Sequence, residues 1–177
     1  MLAGPLVSQR WASQARRLDP TDPLTGLANR RSFTRRLQEE IARSERYGVP
    51  LGLLLCRVDA PGARAPSADR LAKLVGASTR ACIRDVDLAA RWGEESFLVL
   101  LPHQELEGAG AVGRRIHRRV GALPLDENEG RITVSVAVAV LRAGETAFEL
   151  MERLYRTLDR ARDAGGDRVE LSAPDGG

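Results

Sequence analysis

Residues Leu51–Val58 read Leu-Gly-Leu-Leu-Leu-Cys-Arg-Val, almost continuously apolar. A strand that is apolar at consecutive positions, and not only at alternate ones, is covered on both faces. The chain must therefore place helices on either side of a central sheet. It has the material: 177 residues are 43% hydrophobic, enough for one domain of ordinary size plus a short extension. Aromatics make up only 4%, so that core is built from Leu, Val and Ala.

The rest of the chain supplies the cover. Residues 1–20 read as a helical connector, with Leu2, Leu6, Val7 and Trp11 as a weak stripe ended by Pro20; Trp11 suits a partner helix or ordinary linker packing. Asp22-Pro23-Leu24-Thr25-Gly26-Leu27 is turn-rich and opens a helix over 29–47, with Phe33, Leu37 and Ile41 on one face. Gly48-Val49-Pro50 breaks it. Residues 60–68 read as a loop, and 69–83 as a helix with Leu71, Leu74 and Val75 inward. Arg91-Trp92-Gly93-Glu94-Glu95-Ser96-Phe97, between the apolar runs Leu88–Ala90 and Leu98–Leu101, reads as a strand, a tight turn and a second strand. Such a turn tip is held rigidly and often carries chemistry. A helix is expected over 105–120. A strand follows over 131–141, with Ile132, Val134, Val136, Val138 and Val140 on one face. A last helix spans 146–164, with Phe148, Leu150, Met151, Leu154 and Leu158 as core candidates. Gly165-Gly166 stops it. Val169–Leu171 is a short strand, and 172–177 is expected to be a disordered tail. This order predicts an α/β (α+β) sandwich around a mainly antiparallel sheet.

The net charge is +3, and Lys73 is the only lysine among 27 basic residues. An arginine bias of this kind fits codon usage in a GC-rich genome. The charges are spread along the chain without interleaved aromatics, so no nucleic-acid partner is expected. Cys56 falls in an apolar strand and Cys82 in a helical stretch, which suits a reducing cytosol better than a disulfide framework. No apolar run is long enough for membrane insertion, and residues 1–17 lack the apolar centre of a signal peptide. His103 and His117 have no acidic or cysteine partner at metal-ligand spacing and read as solvated surface residues.

The hairpin resembles the signature turn of the GGDEF family of diguanylate cyclases, Gly-Gly-Asp/Glu-Glu-Phe, here Gly93-Glu94-Glu95-Ser96-Phe97. Asp22-Pro23-Leu24-Thr25-Gly26-Leu27-Ala28-Asn29-Arg30-Arg31 matches that family's domain-opening motif at almost every position. Thr133-Val134-Ser135-Val136-Ala137 is similar to its Ser-x-Gly strand, with Ala137 for the glycine, and the element order agrees. The resemblance covers residues 21–171 and implies the fold shared with class III nucleotidyl cyclases.

What it implies for chemistry differs from site to site. In active members an aspartate at the end of the first strand and the acidic third residue of the hairpin hold two divalent metals, which bind GTP and activate its ribose hydroxyl. The strand position is Arg57, and a guanidinium cannot coordinate a metal. Glu95 fits the hairpin ligand. Arg57 is therefore expected to pair with Glu95 or Glu94. Glu94 replaces a glycine that lets backbone approach phosphate, and Ser96 replaces a glutamate. Asp59 and Asp69 match two family aspartates, the latter a guanine contact. Arg162 stands at a phosphate-clamping lysine and Gly166 replaces the neighbouring arginine. These residues form a vestigial nucleotide site, with no catalytic residue, metal or cofactor expected; magnesium enters only if the chain is an active cyclase. By contrast, Arg84-Asp85-Val86-Asp87 stands where the family carries its Arg-x-x-Asp site for the product, cyclic di-GMP, and Arg115 matches a further arginine of that site. Arg-x-x-Asp also occurs at Arg16–Asp19, Arg156–Asp159 and Arg160–Asp163, so position and Arg115 carry the assignment. The resulting expectation is a degenerate, inactive domain serving as a cytoplasmic regulatory module. It would sense cyclic di-GMP at Arg84, Asp87 and Arg115 or bind a protein partner, as a possible homodimer behind an upstream sensory or receiver domain. The alternatives are an active cyclase and a ligand-free dimerisation scaffold.

Overall fold

The structure is a computed structural model that describes residues 19–59, 65–126 and 129–172. Residues 1–18 of the expected connector and 173–177 of the expected tail lie outside those residues. Ser172, expected to open the disordered tail, is instead buried, because its amide donates to Val138 O at 2.7 Å and its hydroxyl meets Arg153 at 2.9 Å. Among the described residues, β1 (Leu51–Val58), β2 (Leu88–Arg91), β3 (Ser96–Pro102), β4 (Val134–Val140) and β5 (Val169–Leu171) form one sheet in the order β2-β3-β1-β4-β5. All pairings are antiparallel except β4 with β5. The helices are α1 (Arg30–Tyr47), α2 (Ala68–Arg80), α3 (Leu106–Gly121) and α4 (Ala147–Asp163). This is the expected α/β sandwich.

The continuous apolar run of β1 is explained by its central place. Leu54, Cys56 and Val58 meet Leu71, Val75, Val112 and Ile116 of α2 and α3. Leu51, Leu53 and Leu55 meet Phe33 and Leu37 of α1 and Leu150, Leu154 and Leu158 of α4. β4 divides likewise: Val134, Val136 and Val138 face the α2/α3 layer, and Ala137 and Ala139 the α1/α4 layer. α3 lies so close that a Cβ on Gly113 would stand 3.2 Å from Val138 Cγ2 and 3.3 Å from Val169 Cγ1. Cys56 is fully buried, and burial, with Cys82 nearby, pushes its thiol up to about 12, so it is an inert packing group.

The helix ends follow local chemistry. Asn29 Oδ1 accepts from Ser32 N at 2.9 Å and Gly48, at φ 63°, ends α1. Thr146 and Glu149 form a capping box on α4. Gly165 and Gly166 take φ 107° and 69°, and Gly166 N closes the helix onto Ala161 O at 3.0 Å.

Two further expectations about the fold fail. Phe148 is 71% exposed, because it lies in the first turn of α4, ahead of the residues that reach the sheet. Cys82 is buried but lies past the end of α2, where the chain turns toward β2. Among the described residues no helix is long and apolar enough to cross a membrane.

Candidate functional site

The hairpin and the opening motif fold as one unit. Ala28 N donates to Ala89 O at 3.0 Å and Arg91 N to Ala28 O at 3.1 Å. Asp22 Oδ2 accepts from Thr25 N at 2.9 Å and Thr25 Oγ1 at 2.7 Å, and Arg91 lies 3.6 Å from its other oxygen. Partial burial raises the Asp22 carboxyl pKa, but the Thr25 bonds and the Arg91 charge outweigh it and hold the group below its ordinary value. Behind the turn, Arg30 lies 4.3 Å over the Trp92 ring, Phe33 meets that ring edge-on, and Trp92 Nε1 donates to Tyr155 Oη at 2.7 Å. At the tip, Trp92 N and Gly93 N donate to Ser96 O at 2.8 and 3.1 Å. Neither Gly93 nor Glu94 has a positive φ, so Glu94 sits in this turn without backbone strain.

The end of β1 meets this tip and α4. Register sets Arg57 opposite Ser96 on one side and Ser135 on the other, while Glu95 meets Val58 through the backbone. Arg57 follows Leu53 and Leu55 in alternation, on the α1/α4 face. The expected pairing of Arg57 with Glu94 or Glu95 is absent among the described residues; the strand register gives Arg57 a serine neighbour instead of a carboxylate. Asp59 is a structural clamp. Its oxygens accept from Thr133 Oγ1 at 2.8 Å, Ser135 Oγ at 2.6 Å and Asp167 N at 2.9 Å. With Asp159, Arg162, Asp163, Gly165 and Gly166 it lines a cleft of about 590 Å³. The structure thus brings Asp59 and Arg162 together, but Arg57 and Asp69 are not in that lining. Three carboxylates and one arginine make it a poor receptor for a triphosphate. Among the described residues no three His, Cys, Asp or Glu side chains group to hold a metal ion. Of the two acidic positions that the family resemblance implies, Glu95 keeps its carboxylate and the other is Arg57.

Arg84 and Asp87 hold each other. Arg84 Nε and Nη2 donate to the two oxygens of Asp87 at 3.1 and 2.8 Å, the Arg84 amide adds a bond at 2.8 Å, and Nη2 also reaches Pro102 O at 3.0 Å. The Asp87 side chain is 1% exposed and that of Arg84 48%. The Asp87 bond leads the effects that raise the Arg84 pKa above its ordinary value. Arg115, on α3, donates through Nε and Nη2 to Cys82 O, at the start of the same turn.

Sequence reasoning missed one constellation. His117 is not a free surface group: its ring Nε2 lies 2.8 Å from Asp167 Oδ1, and Arg131 lies 3.4 Å from Oδ2. The partner is 50 residues away and is reached only because α3 packs beside the turn after α4.

The family model "Diguanylate cyclase, GGDEF domain" matches residues 20–168. The chain belongs to the GGDEF family. Diguanylate cyclase DgcP of Pseudomonas aeruginosa is 33% identical over 160 residues, 86% of this chain and 24% of its own length. Response regulator PleD of Caulobacter vibrioides is 29% identical over 84% of this chain and 35% of its own. This GGDEF chain therefore spans about a quarter to a third of the length of those curated relatives. The GGDEF domain of DgcB from Caulobacter crescentus, solved with cyclic di-GMP, superposes at TM-score 0.81 with 27% identity, covering 88% of this chain and 94% of that one. Diguanylate cyclase SiaD of P. aeruginosa, solved with its activator SiaC, gives 0.80 and 33%, covering 93% and 69%.

Proposed function

We propose that this GGDEF domain, residues 21–171, is catalytically inactive and works as a regulatory module in cyclic di-GMP signalling. It senses cyclic di-GMP through Arg84, Asp87 and Arg115, or it binds a protein partner, with residues 1–20 as connector to an upstream sensory or receiver domain. The observation that carries the first part is Arg57. It occupies the strand position where an active cyclase holds metal, with serines and no carboxylate opposite it. Asp59, two residues on, has its oxygens committed to Thr133, Ser135 and the Asp167 amide. No catalytic step runs through metals that this donor set does not fit.

Sensing is supported by position: the Arg84–Asp87 turn and Arg115 converge on one segment. Cyclic di-GMP is bound in the DgcB structure and a protein activator in that of SiaD. Two phosphates suit arginine forks. The ligand must take the Arg84 edge now held by Asp87, and the buried Asp87 carboxylate reaches a guanine only if this turn opens.

The purified chain is to be incubated with GTP and Mg²⁺ and assayed chromatographically; no cyclic di-GMP is expected. Its metal-dependent formation would establish the active-cyclase reading, which the names of the relatives and the retained Glu95 favour. Calorimetry with cyclic di-GMP then compares wild type with Arg84→Ala. Loss of a charged hydrogen bond is expected to cost roughly 1.5–3 kcal/mol. Equal affinities would move the ligand elsewhere, and no binding to wild type would leave the protein-partner reading.

A further inference from the structure

Between α2 and the C-terminal half of α3 lies a groove of about 630 Å³. Its floor is apolar: Leu74 and Ala77 from α2, and Leu123 and Pro124 beyond α3. Leu74 and Leu123 are only partly buried against the core. Its rim is Arg115, Arg118 and Arg119, and no carboxylate lines it. Arg115 is tied to Cys82 O, but Arg118 and Arg119 are exposed and have no side-chain hydrogen bond or ion pair among the described residues. The nearby acids Asp126 and Glu129 are engaged by Arg70. The helix dipole favours basic residues in this last turn, but it gives no reason for half-exposed leucines between them.

We infer that this groove docks an acidic segment of a partner protein, setting an aliphatic side chain on Leu74 and Leu123 while carboxylates take the forks of Arg118 and Arg119. The inference rests on the protein-partner half of the proposed function and gives that partner a place and a chemistry. A guanidinium fork matches a carboxylate with two parallel bonds. The lining has no aromatic ring on which a nucleic-acid base could stack. It also offers no side-chain carboxylate to read a base edge. Unpaired arginines around an apolar floor suit a partner that brings both charge and an apolar anchor.

The probe is a short fluorescein-labelled peptide of repeating Glu-Glu-Leu, titrated with the whole chain and read by fluorescence anisotropy. Glu-Glu-Ser and Lys-Lys-Leu peptides and a single-stranded DNA oligonucleotide serve as comparisons. Binding of Glu-Glu-Leu is expected to be at least about tenfold tighter than that of any comparison probe. It is expected to weaken by at least about tenfold in the double variant Arg118→Glu/Arg119→Glu. Both side chains are exposed, so that variant is expected to stay folded with only a small fall in melting temperature, from placing acids at the C-terminal end of α3; Leu74→Ser tests the apolar floor separately. No binding of Glu-Glu-Leu, equal binding of Glu-Glu-Ser or of DNA, or indifference to the charge reversal would each overturn the inference. Arg84→Ala is expected to bind the peptide like wild type. Peptide binding without cyclic di-GMP binding leaves the groove standing and removes only the sensor reading. Loss of peptide binding in Arg84→Ala would move the surface to the Arg84 turn and overturn the placement.

Discussion

Asp22 fixes the opening turn through charge as well as shape. Its folded pKa lies below the ordinary 3.8. The ionised carboxylate therefore adds stability above that value, and the contribution is lost as the pH falls through the lower folded value. Asp22→Asn is expected to destabilise by about 1 kcal/mol at neutral pH. The difference from wild type is expected to shrink steadily as denaturation is repeated at pH below ~4. A loss that stays constant across the acid range would mean that Asn fails for reasons of shape. Asp59 teaches a related lesson: the sequence places an aspartate two residues after Arg57, and only folding reveals that Thr133, Ser135 and the Asp167 amide occupy it.

At the scale of elements, α4 is anchored by Arg153. Its guanidinium meets Glu145 at 2.6 Å, Ser172 Oγ at 2.9 Å and Val140 O at 2.7 Å, joining the helix to the ends of β4 and β5. Both charged side chains are nearly buried, so Arg153→Ala leaves Glu145 uncompensated and is expected to cost about 3–5 kcal/mol by chemical denaturation. Arg153→Ala with Glu145→Ala together is expected to cost less than the sum of the two. The elements themselves were legible because their signals are local: the apolar stripe of α1, the Gly48 and Gly165-Gly166 stops, and the alternation of β4. Periodicity finds the inward stripe of α4 but not how far the sheet extends beneath it, so Phe148 was misplaced in the core. The pairing of His117 with Asp167 joins groups distant in sequence, and nothing local announces it.

Across the whole molecule, the layers on either side of β1 were readable, whereas the contents of the cleft at the end of β1 were readable only as residue types. Strand register decided whether Arg57 met a carboxylate or a serine. Cyclic di-GMP carries two equivalent halves, so a copy of this domain that binds one half leaves the other for a second copy. Sedimentation velocity is expected to show ligand-driven dimerisation of wild type, and none for Arg84→Ala. If Arg84 takes a ligand phosphate as proposed, its fork with Asp87 makes the site its own competitor. An incoming phosphate displaces a carboxylate already in place, so apparent affinity falls with the fraction of molecules whose fork is closed. Dissolved salt weakens the internal pair as well as the bond to ligand. The two effects oppose each other, and binding here would change with ionic strength less steeply than binding to an uncommitted arginine.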